Sequence, residues 1–75
     1  MYLNPIEVQL VIEFQKKYMY PKNRTEFFDC LKKLEEDPLN VEIILAKCHK
    51  MTHSLSDYFK EYTDERIDSI IAYIV

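Results

Sequence analysis

The sequence predicts an all-α domain, a compact bundle of four to five short helices, and three observations carry that prediction. Glycine is absent from all 75 residues, which removes the easy route to positive φ and with it two-residue hairpins, phosphate-cradling loops and nucleotide fingerprints. Pro5, Pro21 and Pro38 punctuate the chain where helices start or stop. Between them, apolar residues recur three and four apart, which is the spacing of one helix face.

The first helix starts at Asn4-Pro5-Ile6-Glu7: Asn4 is the N-cap, Pro5 takes the first helical position, and Glu7 completes a capping box. Ile6, Leu10, Phe14 and Tyr18, flanked by Val11, form its buried stripe. It should end near Tyr20, because Pro21 restricts the residue before it. Asn23 and Glu26 repeat the capping-box spacing, and Phe27, Cys30 or Leu31, and Leu34 follow as the inner face of a second helix ending at Glu36 or Asp37. Pro38 stops that helix, and Asn40 is expected to cap a third carrying Val41, Ile44, Leu45 and Cys48. The pattern weakens from Cys48 to Ser54, which reads as a bend or a short break around Lys50 to Ser54. Leu55, Tyr58, Phe59 and Tyr62 then restore helical spacing. Thr63 or Asp64 caps the last helix, whose apolar face is Ile67, Ile70, Ile71 and Ile74 and whose Asp64 and Glu65 suit the positive end of its dipole. Four isoleucines so close together imply that this helix is buried centrally or docks on a partner.

The expected core is Phe14, Phe27, Leu31, Leu34, Ile44, Leu45, Leu55, Phe59, Ile67 and Ile71. A chain of this length makes one domain, residues 1–75, and has no room for a second. The composition, 48% hydrophobic and 31% charged, is that of a globular protein. Ten Lys and Arg against 13 Asp and Glu give 10 − 13 = −3 and a pI near 5.3. That balance disfavours direct nucleic-acid binding, whose affinity comes from neutralising phosphates. The apolar stretch from Ile67 to Val75 falls far short of the roughly 20 residues that span a bilayer, so no membrane association is expected. The first ten residues, with Pro5 and Glu7 among them, lack the layout of a signal peptide, and the expected location is intracellular. Cys30 and Cys48 read as reduced, buried thiols, since stapled secreted scaffolds usually carry more cysteines than two.

The residues with nucleophile or ligand character are Cys30, Cys48, His49 and His53. The two histidines stand four apart, and with the cysteines they have the types a zinc site needs. Yet no C-x-x-C pair exists, Cys48 falls on an apolar stripe, and the helix weakens between the histidines, so no metal, no cofactor and no catalysis are expected. Glu35, Glu36 and Asp37 read as a solvated helix end. Lys16, Lys17, Lys22 and Arg24 gather near Tyr2, Tyr18 and Tyr20; they are read first as lysines suited to a helix C-terminus and second as a patch for a phosphate backbone or an acidic peptide. Six tyrosines favour a protein interface.

The stretch Cys30-Leu31-Lys32-Lys33-Leu34, followed by Pro38-Leu39-Asn40-Val41-Glu42-Ile43-Ile44-Leu45, resembles the N-terminal domain of transcription elongation factor TFIIS, shared by Elongin A, a Mediator subunit and the Iws/Spn factors. By order of helices the resemblance runs from about Val11 to Val75. The chain departs from the family pattern in three places. Lys50-Met51-Thr52-His53 replaces a glycine-bearing turn, Ser56-Asp57-Tyr58-Phe59 replaces a basic segment, and Tyr73 stands nearest to where the family commonly has Trp. The resemblance implies a non-catalytic helical domain that docks short disordered motifs of transcription factors, in the nucleus. Lys32, Lys33, Lys50 and His53 would then be the rim of the docking groove, and Leu55 with Phe59 would support it.

A second reading from a different class is a small homodimeric regulator of phage, plasmid or bacterial type, cytoplasmic, which binds another regulator through a helical face. Its dimer or partner surface would be Ile70, Tyr73 and Ile74 on the last helix. Both readings make the partner a protein.

Overall fold

Two reciprocal hydrogen bonds start the first helix of the computed structural model, which describes residues 2–17, 20–47 and 54–74. The Glu7 amide donates to Asn4 Oδ1 across 2.9 Å, and the Asn4 amide donates to Glu7 Oε1 across 3.0 Å. This is the capping box the spacing predicts, and it opens α1 (Pro5–Lys17). Asn23 caps α2 (Arg24–Glu35), accepting from the Glu26 amide at 3.0 Å. Here the return bond is shifted: Glu26 Oε2 accepts from the amide of Lys22, one residue before the cap, at 2.6 Å.

The third helix, α3 (Pro38–Ala46), corrects the expected start. Asp37, not Asn40, is its N-cap, in extended backbone and without a side-chain cap bond. The reason lies in Pro38, whose fixed φ and missing N–H suit the first helical position, so the helix nucleates there and Asn40 falls within its first turn. Ser54 caps α4 (Leu55–Phe59), accepting from the Asp57 amide at 3.0 Å. Thr63 caps α5 (Asp64–Ile74), accepting from the Arg66 amide at 3.2 Å. The break expected around Lys50 to Ser54 lies, apart from Ser54, outside the described residues, as does the predicted inward position of Tyr18.

All elements among the described residues are helical, so the all-α expectation holds. The helices enclose one core. α1 packs on α5 and α3, while α2 packs on α3, α4 and α5. Phe27 of α2 is the hub: its ring meets Phe14 of α1 at 5.9 Å, Phe59 of α4 at 5.5 Å and its neighbour Phe28 at 5.7 Å, each edge to face. Leu10, Phe14, Phe27, Leu31, Leu34, Ile44, Leu55, Phe59, Ile67 and Ile70 are fully buried around it. Leu45, expected in the core, is only half-buried. Ile44 takes the inward position of α3, and one residue further on the side chain has turned about 100° towards solvent. Ile67, Ile70, Ile71 and Ile74 are all buried against the rest of the chain. That removes Ile70 and Ile74 as a partner surface and leaves Tyr73, 43% exposed, as the accessible member of that set.

Candidate functional site

Beside its apolar inward residues Ile6, Leu10, Val11 and Phe14, α1 departs from the usual helix pattern. Its two carboxylates, Glu7 and Glu13, are buried, while its outward positions before Lys16 are Pro5, Val8, Gln9, Ile12 and Gln15, none charged. Surface helices normally keep charges on the solvent side, as α2 does with Asp29, Lys32 and Lys33 and α5 does with Glu65 and Asp68. Val8 is 42% exposed. With Val11 and Ile12 it lines a hollow of about 360 Å³ whose other walls are Tyr73 of α5 and the segment Tyr2-Leu3 before α1. All six lining residues are uncharged.

Glu7 is tied to one wall of that hollow through Arg66. Glu7 receives Arg66 of α5 on both oxygens: Nη2 donates to Oε1, and Nε donates to Oε2 at 3.3 Å. The Tyr62 hydroxyl also donates to Oε2, at 2.9 Å. Arg66 Nη2 reaches further, to the Tyr2 carbonyl at 3.2 Å. One guanidinium therefore ties the wall Tyr2-Leu3 to the helix pair. Burial raises the Tyr62 hydroxyl well above the ordinary tyrosine value, helped by its bonds to Tyr58 and Glu7. Glu13 is served by Gln9, whose Nε2 donates at 3.2 Å while its Oε1 accepts from Lys47 Nζ at 2.8 Å. Gln9 thus links a cation to a buried carboxylate.

Of the residues expected at the rim of a docking groove, Lys32 and Lys33 lie among the described residues. Lys32 and Lys33 are exposed in the last turn of α2, where they also suit its dipole. Lys33 borders a second hollow, of about 190 Å³, with Tyr20, Pro21, Glu26, Asp29 and Cys30. Lys50 and His53 lie outside the described residues. Leu55 and Phe59 are fully buried, so they support the surface from beneath and offer a ligand no area of their own. The basic group near the first interhelical turn is dispersed: Lys17 pairs with Asp37 at 3.4 Å, and Arg24 turns inward to α4. Its Nη1 donates to the Tyr62 carbonyl at 2.8 Å and pairs with Asp64 at 3.1 Å, while the guanidinium lies 5.1 Å from the Phe28 ring centre. Arg24 caps the end of α4.

Cys30 is 6% exposed, and burial pushes its thiol up, partly offset by Lys33. It sits in the protonated form, which is a poor nucleophile and a poor ligand. Among the described residues no group of three or more His, Cys, Asp or Glu could hold a metal ion; Cys48, His49 and His53 lie outside them. Nor is any helix among them long and apolar enough to cross a membrane. Compared with protein-family models, with curated proteins and with solved structures, the chain matches none.

The α1 groove lies outside the single buried stripe that the helical spacing predicts. The signal was there in Val8 and Ile12, four apart and out of register with Ile6, Leu10 and Phe14. What the pattern lacked was the partner of Glu7, which comes from the other end of the chain.

Proposed function

We propose that this chain is a non-catalytic protein-binding domain that receives a short segment of another protein. The observation that carries this reading is the uncharged hollow between α1 and α5, on a helix that buries its carboxylates and turns aliphatic side chains outward. Chemistry has less support: Glu7 is committed to Arg66 and Tyr62, Glu13 to Gln9, and Cys30 is held as a thiol. The resemblance of Cys30–Leu34 and Pro38–Leu45 to motif-docking domains of transcription factors supports the same class and makes such a factor the expected partner. On that resemblance the docking surface would be the lysine rim of α2, not the α1 groove.

Affinity capture with the intact chain from an extract of its source separates these surfaces. The reading expects a partner retained by the wild type and released by Val8→Glu, with the charge reversals Lys32→Glu, Lys33→Glu and Lys50→Glu leaving it bound. Release by the lysine reversals alone would move the site to α2 and favour the family-type groove. A second copy of the chain as the retained protein would favour the homodimeric regulator. Absence of any protein released by either variant would overturn protein binding.

A further inference from the structure

We propose that the occupant of the groove between α1 and α5 is a short amphipathic helix of another protein, anchored by two uncharged apolar side chains one turn apart. This rests on the protein-binding reading. Three features of the groove select the occupant. The first is shape: its long side is the α1 flank Val8, Val11 and Ile12, faced by Tyr73 of α5 and closed by Tyr2-Leu3, and such a flank accepts a helix by interleaving side-chain ridges, whereas the described residues offer no strand edge to extend. From Val8 to Ile12 the α1 wall runs four residues, about 6 Å. That is one helical turn, the distance between residues i and i+4 of an occupant.

The second feature is charge. Tyr2, Leu3, Val8, Val11, Ile12 and Tyr73 provide no ionic partner, so a charged anchor would be desolvated without compensation. The anchors are therefore aliphatic or aromatic. Lys16, exposed and one turn beyond Ile12, marks the end of the groove at which an acidic residue after the second anchor gains a favourable contact. The third feature is area. A stable protein dimer engages roughly 20–30 residues a side, far more than these six, and two copies of a chain with net charge −3 repel each other. A second copy is thus a poor occupant, whereas a helix with two anchors fits the available surface.

The test is a display selection from a library of 16-residue helices with randomised inward positions, run against the intact chain, with calorimetry on the selected peptides. The expected result is convergence on two apolar residues spaced i, i+4 with uncharged inward faces, and binding weakened at least tenfold by Val8→Glu. Ile12→Gln, a milder change, should weaken it as well, and both variants should keep the wild-type melting temperature. Selected peptides that bind Val8→Glu and Ile12→Gln as well as wild type would overturn the proposal, as would convergence on extended or charged sequences or no binder at all. Self-association lost in Val8→Glu, seen by sedimentation, would overturn it in favour of a second copy. If the selection fails while Val8→Glu still releases a captured protein, the helical occupant falls and the protein-binding reading stands.

Discussion

Arg66, in the first turn of α5, grips both carboxylate oxygens of Glu7, in the first turn of α1, although 59 residues separate them in sequence. The same carboxylate already caps α1 through the Asn4 amide and accepts from Tyr62. One buried side chain therefore starts one helix, aligns a second and holds the turn that precedes it. Arg66 is a third exposed and Glu7 is not exposed at all, so the pair is asymmetric: the acid depends on the base.

Removing the base should be costly. Arg66→Met leaves Glu7 buried with a charge that nothing neutralises, and a loss of about 3 kcal/mol is expected. The double variant Glu7→Gln with Arg66→Met should recover part of it, because the uncompensated charge is gone. Urea unfolding of the two variants measures both; equal stability of the single and double variants would show that the charge is not what destabilises.

Tyr62 predicts an alkaline signature. Its hydroxyl is held in the neutral form above the ordinary value of 10.0, so the unfolded chain loses this proton at lower pH than the folded one. The stability it contributes is complete below about pH 10 and declines as pH rises above that value. Melting temperatures between pH 9 and pH 11 should therefore fall more steeply in the wild type than in Tyr62→Phe, which has no such proton. Parallel curves would remove the role assigned to this hydroxyl.

Phe27 carries the centre of the core, with Phe14 and Phe59 against it from two other helices. Phe27→Ala should cost about 3–5 kcal/mol. Because the whole stability of a domain this small is typically only about 5 kcal/mol or a little more, that variant should be largely unfolded at 37 °C by circular dichroism. Phe28→Ala, at a half-buried site, should remain folded.

Arg24 supplies a cap that a lysine cannot copy. Its planar fork reaches the Tyr62 carbonyl at 2.8 Å and the Lys60 carbonyl at 3.4 Å while lying over Phe28. Arg24→Lys keeps the charge and loses the fork, and a loss of about 1–2 kcal/mol is expected. Amide exchange should rise first in α4, the five-residue helix that depends on this cap.

Val8→Glu, in contrast, should leave stability within about 0.5 kcal/mol of the wild type, since the side chain it replaces faces solvent. Thermal melts check this directly, and it is what makes the variant usable as a probe of binding.

The helices and most of the core are local matters, and they were readable. Asn4 with Glu7, Asn23 with Glu26, and Thr63 each act within four residues of themselves, so their capping follows from spacing alone. The stripes of Phe14, Phe27, Leu31, Phe59 and Ile67 go inward because a short helix has one face to bury, and all five are fully buried. Where local rules competed, the order of strength decided: Pro38 outweighed Asn40 because a fixed φ at the first helical position acts before a side-chain cap can. The groove belongs to a different class of fact. Glu7 reads locally as a capping residue, and its burial follows only when Arg66 and Tyr62 arrive from the far end of the chain. Once that carboxylate turns inward, the opposite flank of α1 is left to Val8 and Ile12, and Tyr73 of α5 closes over it. Periodicity shows which residues share a face; which face meets which neighbour, and so which apolar residues stay outside, is set by packing between helices that the sequence places fifty or more residues apart.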